Sequence, residues 1–223
     1  MEIKKEKLTI EHLCLAAKEF CYGESEIDFP ELAGPVYGKE VGNYIEHVLK
    51  YHLSERFDVT LGNSASGIDL PSPEINTDIQ VVSYRYPESS CPYKSSRQKI
   101  FGLGHNLLVL VYDKKDGNGT SKVEFKHCTF IPQERTSDFT TTRRLGEMLR
   151  DGAIKEDIIA YFMDRNIPGD EITFDQLANE VLERGVKQGY LTISNTLQWK
   201  LQYQRAMRLS NSVDGIVNYD YKK

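Results

Sequence analysis

The 223-residue sequence predicts a mixed α/β core followed by a helical C-terminal portion. One observation is the continuous apolar run Leu107-Leu108-Val109-Leu110-Val111, the composition of a central strand covered on both faces. Another is the stretch Lys39 to Ser54, where Val41, Tyr44, Ile45, Val48, Leu49 and Leu53 recur at steps of three and four, as on one buried helix face. A third is the change after Pro132, where strand-like alternation gives way to helical stretches. At roughly 100–200 residues per domain, this length allows one core with an appendage. The boundary is expected near residue 135, with a core over 1–135 and a helical subdomain over 136–223.

The elements follow in order. Residues 8–21 read as a helix, then a loop rich in glycine, proline and acid runs to Gly38. After the helix of Lys39 to Ser54, short strands are expected at Arg56 to Leu61 and Ile68 to Leu70, separated by a loop at 62–67. A third strand spans Ile75 to Tyr84, and polar Ser95 to Phe101 reads as a short helix. Asp116-Gly117-Asn118-Gly119 is the turn between strands His105–Tyr112 and Lys122–Phe130. Helices are expected near 142–150, 155–165, 173–185 and 193–209, the third opened by a Thr173/Gln176 capping box. Asp214-Gly215 signals a small terminal hairpin.

Composition narrows the class. Hydrophobic residues at 39% and charged residues at 27% exclude wholesale disorder. No apolar run approaches the ~18–20 residues that span a bilayer. The charged start Met1 to Lys7 is unlike a signal peptide, and four cysteines without a CxxC pair read as reduced thiols, so a cytoplasmic protein is expected. The formal net charge is −5, but Arg184 to Lys223 holds seven basic residues against two acidic ones. A +5 end on a −10 body is a patterned charge that suits local attraction to a polyanion.

The chemistry-bearing segment runs from Gly67 to Gln80. If the two short strands pair around Pro73-Glu74, Asp69 and Asp78 are equidistant from the turn and oppose each other. Opposed β-carbons lie ~4.5–5.5 Å apart, and two carboxylates that close repel unless a cation lies between them. Alternation puts Asp78 and Gln80 on one face and turns Ile79 inward. Two hard oxygen ligands beside an amide suit Mg²⁺, which keeps waters and takes substrate phosphate oxygens.

This order of elements, with Asp, turn, and a strand carrying Asp-x-Gln, resembles the PD-(D/E)xK nuclease superfamily over about residues 39–112. The resemblance implies a restriction-endonuclease-like fold and Mg²⁺-dependent hydrolysis of double-stranded DNA by direct attack of water. Asp69 then takes the place of the family's Asp, Asp78 the second acid, and Gln80 the place of its lysine. Asp69, Asp78 and the main-chain carbonyl of Ile79 are the implied metal ligands. Glu46, in a helix resembling the family's opening one, is the implied further catalytic glutamate. Gln80 is a departure, because an amide hydrogen-bonds but carries no charge; Lys94 or Lys99 is an alternative source of the lysine.

Arg85, Lys94, Arg97 and Lys99 follow the strand, and Gln198, Lys200, Arg205 and Arg208 crowd the last expected helix. These residue types make phosphate contacts and read purine edges, so all eight are candidate DNA contacts. The helical end would then be a DNA-recognition and dimerisation subdomain, winged-helix-like in outline. A type II restriction endonuclease, acting in a prokaryotic cytoplasm as a homodimer matched to a palindromic site, is the leading expectation. A junction resolvase or repair endonuclease of the same fold, or a non-catalytic DNA-binding protein, are the alternatives.

Overall fold

Local sequence and strand pairing build the elements in this chain order: β1 (Glu6–Lys7), α1 (Ile10–Glu24), β2 (Asp28–Phe29), α2 (Gly38–Arg56), β3 (Phe57–Asp58), β4 (Thr77–Ser83), β5 (Glu88–Pro92), α3 (Ser96–Phe101), β6 (Asn106–Gly117) and β7 (Thr120–Ile131). Then come α4 (Phe139–Arg150), α5 (Lys155–Asp164), α6 (Glu171–Arg184), β8 (Thr192–Ile193), β9 (Gln198–Gln202), α7 (Gln204–Met207) and β10 (Val217–Asp220). The structure, a computed structural model, describes residues 5–62, 67–92, 94–196, 198–209 and 213–221. Most of the expected loop at 62–67, the first four residues, Leu197 and the two terminal lysines lie outside them.

Two compact units emerge, one of residues 1–87, 105–131 and 207–223, the other of 88–104 and 132–206. In the first, β6 is the central strand, with Leu107 to Val111 all buried. It runs parallel to β4 and antiparallel to β7, in the order β10-β7-β6-β4, with β2 also on β7. Asn118 and Gly119, both at positive φ (53° and 76°), make the two-residue turn between β6 and β7. Helices α1 and α2 bury Leu13, Ala17, Phe20, Ile45, Leu49 and Leu53 in one core with Ile79, Leu108 and Leu110. That packing anchors the strand and the helix from which the site is built.

In the second unit, α3 to α6 enclose Ile100, Leu145, Ile158, Phe162, Phe174 and Val181. A three-stranded sheet, β5-β9-β8, joins segments far apart in sequence. The mixed α/β class is as expected. The division differs from a single cut at 135: residues 88–104 belong with the later helices, and 207–223 return to the first unit. Non-local strand pairing causes both departures, since β5 pairs with β9 and β10 pairs with β7.

Where a helix is expected at 193–209, the structure has the end of β8, the strand β9 and only the short helix α7. Leu197 and Leu201 are four apart, but Gln198-Trp199-Lys200-Leu201-Gln202 alternates, and β9 buries Trp199 and Leu201 while exposing Gln198 and Lys200. Period two wins because the buried tryptophan and leucine then share one face. The terminal hairpin is likewise a turn at 213–215 followed by β10, a strand added to β7. Helix α6 opens at Asp170, whose carboxylate accepts the Thr173 N–H at 2.8 Å; Thr173 is inside the first turn, not the cap.

Candidate active site

The segment carrying Asp69 is held to β4 by one pair of backbone bonds. Leu70 N–H donates to Thr77 O at 2.9 Å and Thr77 N–H to Leu70 O at 3.0 Å. This antiparallel bridge sets the register that places Asp69 opposite Asp78. The loop between is wide, because Pro71 and Pro73 cannot donate to a ladder. Ser72 O instead accepts from Ile75 (2.9 Å) and Asn76 (2.7 Å), with Asn76 at φ 35°.

Asp69 is gripped on both oxygens. Oδ2 accepts the Ile79 N–H at 2.8 Å, and Oδ1 accepts from the Lys50 ammonium. Lys50 also donates to Glu46 Oε1 at 2.8 Å, one helical turn back on α2. Asp78 shares a hydrogen bond with Asp69 and accepts from Gln80 Nε2 at 2.6 Å. Helix α2 reaches this strand because residue 42 is glycine: a β-carbon there would stand 3.1 Å from the Val81 carbonyl oxygen.

The electrostatics of the cluster follow from that geometry. Burial, then the charge of Asp69, push the Asp78 carboxyl from an ordinary 3.8 up to about 7. Burial also pushes Asp69 upward, but Lys50, the Ile79 N–H and the proton-bearing Asp78 together hold it below the usual carboxylate range. Burial raises Glu46. For Lys50, desolvation is outweighed by its two carboxylate partners, which hold the ammonium above the usual lysine range. Two carboxylates this close resist ionising together, so Asp78 holds its proton to a higher pH than an ordinary carboxyl does.

Of the expected site residues, Asp69, Asp78, Gln80 and Glu46 converge, with Ile79 between the two strand groups. Lys50, which is outside the apolar face read for its helix, is drawn inward, its side chain only 14% exposed between Asp69 and Glu46. The missed signal was its spacing of four from Glu46, which puts both on one helix face.

The expected DNA contacts divide. Arg85, Lys94, Gln198, Lys200, Arg205 and Arg208 are exposed. Lys200 pairs with Glu88 at 2.8 Å, and Arg205 stacks 3.8 Å from the Phe139 ring centre beside a cleft of about 550 Å³ that Arg143, Arg144 and Arg165 also line. Arg97 is occupied by Glu180, its Nε donating at 2.9 Å. Lys99 is buried, donating to the Ile193 carbonyl with Asp138 3.9 Å away. It is neither at a surface nor in the acidic cluster, so a DNA contact through it and the role of substitute lysine both fall. A charged residue at the buried face of the short α3 needed a partner from a distant segment, which local pattern could not reveal.

A twisted mixed sheet flanked by helices, with paired acids on a hairpin and its following strand, is the architecture of a restriction-endonuclease-like hydrolase. Known proteins agree with that class. The family model described as type II restriction enzyme NspV matches residues 7–218. A type II restriction enzyme NspV from Nostoc sp. is 46% identical over 212 residues, covering 94% of this chain and 96% of that protein. No solved structure matches. The chain belongs to the NspV family of type II restriction enzymes, which are site-specific endodeoxyribonucleases. Membership in that family sets aside the resolvase, repair and non-catalytic alternatives. No helix among the described residues is long and apolar enough to cross a membrane.

Proposed function

We propose that this restriction endonuclease cuts both strands of a palindromic double-stranded DNA site as a cytoplasmic homodimer, with Mg²⁺ held by Asp69, Asp78 and the Ile79 carbonyl. The observation that carries this reading is the bridge that sets Asp69 opposite Asp78, two half-buried acids whose repulsion a divalent cation would relieve. The donor set fits Mg²⁺, which takes one or two carboxylates and fills its other positions with water and phosphate oxygens. Among the described residues no group of three or more His, Cys, Asp or Glu side chains is arranged to hold a metal, so water and substrate oxygens would complete the shell. Bound there, Mg²⁺ supplies Lewis-acid polarisation of the phosphate and a more acidic water.

The chain's own groups do the rest. Asp69, fixed at both oxygens, keeps the strand and helix groups in register. The Gln80 amide, which donates to Asp78, would be placed to hydrogen-bond a water or a phosphate oxygen. Glu46 sits one turn from Lys50, where its carboxylate orients the helix-borne charge. The water oxygen bonds to phosphorus as one phosphorus–oxygen ester bond breaks, with no covalent enzyme intermediate.

Plasmid DNA incubated with the protein should give discrete bands with Mg²⁺ and none with EDTA. Asp78→Ala should lose at least about 10²-fold in rate, a loss typical of removing a group that organises charge in a transition state. Cleavage by Asp78→Ala at the wild-type rate refutes the site; a monomer by sedimentation with site-bearing DNA bound refutes the homodimer.

A further inference from the structure

The acidic cluster has an electrostatic problem. Glu46, Asp69 and Asp78 crowd a place that must admit a DNA phosphate, itself an anion that gains charge as water attacks. The strand offers nothing positive there, since Gln80 is neutral. Helix α2 does: the Lys50 ammonium reaches across to Asp69 and is held by Glu46 at 2.8 Å. Both bonds leave it one of three hydrogens for a further acceptor. The stem is half-buried, so the charge is pre-positioned and need not reorganise when the phosphate arrives.

We propose that Lys50 supplies the positive charge of the active site, delivered from helix α2 in place of a lysine at position 80. The inference rests on the assignment of Asp69 and Asp78 to the site. A lysine on the strand would approach from the Asp78 side; Lys50 approaches from the Asp69 side, and Glu46 is the second anchor that aims it. This explains why a glutamine is tolerated on the strand: its partner cation sits thirty residues earlier.

The test uses full-length protein, single-turnover cleavage of a plasmid carrying its site, and DNA binding in EDTA. Lys50→Met should cleave about 10²–10³-fold more slowly, the range for losing one preorganised charge or donor. Lys50→Arg should retain at least a tenth of the wild-type rate if charge is what matters. Adding Gln80→Lys to Lys50→Met should restore at least about tenfold. A lysine at 80 cannot remake the bond to Glu46 in the helix, so a merely structural Lys50 gives no rescue. In EDTA, Lys50→Met should flatten the dependence of log affinity on log salt by about one, as when the protein neutralises one phosphate fewer. Cleavage by Lys50→Met within about threefold of wild type, absence of rescue, or an unchanged salt slope overturns the proposal. Asp69→Asn separates the two claims: if it cuts normally the site itself is wrong, whereas an inactive Asp69→Asn beside an active Lys50→Met removes only the role of Lys50.

Discussion

Replacing Asp78 with asparagine should stabilise the metal-free protein while abolishing cleavage, and the gain should appear only as pH rises. Asparagine has the shape of a protonated aspartate, so it keeps the space and the Gln80 partner but cannot ionise. The folded Asp78 carboxyl titrates near 7 against 3.8 in an ordinary setting. A raised acid binds its proton more tightly in the folded state than in the unfolded one. The stability it confers is complete below about 4, declines as pH rises, and is gone above about 7. At 1.36 kcal/mol per tenfold change in acidity, that span is worth roughly 4 kcal/mol. For a chain of this length 1 kcal/mol moves the melting temperature by roughly 2–4 °C, so the gap at pH 8 should reach about 8–16 °C.

Asp69 does not blur the measurement. Its depressed acidity contributes stability that is present above the ordinary carboxylate range and lost only as pH falls below it. Glu46 shifts in the same sense as Asp78 and is present in both proteins, so the difference reads Asp78 together with its coupling to Glu46. Melting curves of wild type and Asp78→Asn in EDTA should therefore coincide near pH 4 and diverge progressively to pH 8. Adding Mg²⁺ at pH 8 should raise the wild type and leave the variant nearly unmoved. A variant that melts no higher than wild type at pH 8, or a gap of equal size at pH 4, refutes the claim that the two aspartates compete for charge.

Gly42→Val should disturb the site from a distance, because even the first added carbon meets the Val81 carbonyl at 3.1 Å. Thermal melts should show a loss of about 1–3 kcal/mol, and cleavage should fall further than stability because Glu46 and Lys50 move with the helix. Lys99→Met leaves Asp138 without its buried cation, and urea titration should show a loss of about 3–5 kcal/mol with an unchanged salt slope for DNA binding. Arg205→Ala should do the reverse, weakening DNA binding and flattening that slope by about one with little change in melting. Trp199→Ala empties a fully buried site in β9 and should cost about 3–5 kcal/mol by denaturant unfolding.

Residues whose positions depend on nearby sequence were the ones that could be placed in advance. Asp69 and Asp78 are nine apart and symmetric about a proline-containing turn, so one hairpin assumption brings them face to face, and the Leu70–Thr77 bridge has that register. The alternation of Asp78, Ile79 and Gln80 needed only the strand itself. Glu46 came from the resemblance of its helix to the superfamily's opening one. Lys50 lies on that same helix, and its direction depended on where Asp69 would come to rest, nineteen residues later. The segment 198–202 carried a visible alternation, but its strand character is realised by pairing with 88–92, more than a hundred residues earlier. Lys99 failed for a related reason: a lysine in a polar stretch is ordinarily solvated, and only the arrival of Asp138 and Ile193 makes burial tolerable.

The charge of −5 acquires a meaning from the site. Proton, metal and phosphate all compete to answer the same deficit of positive charge around Asp69 and Asp78. With the proton on Asp78, one carboxylate is silent and the metal is disfavoured. On the proposed reading, a bound metal would displace that proton and add its own pull on a phosphate to that of Lys50. Linkage makes the effect reciprocal: whatever factor metal binding adds to DNA affinity, DNA binding must add to metal affinity. An acidic centre is therefore no obstacle to a DNA enzyme. On that reading, tight engagement of the scissile phosphate is conditional on the cation needed to cut it, while exposed arginines elsewhere, such as Arg143, Arg144 and Arg205, are the proposed backbone contacts free of that condition.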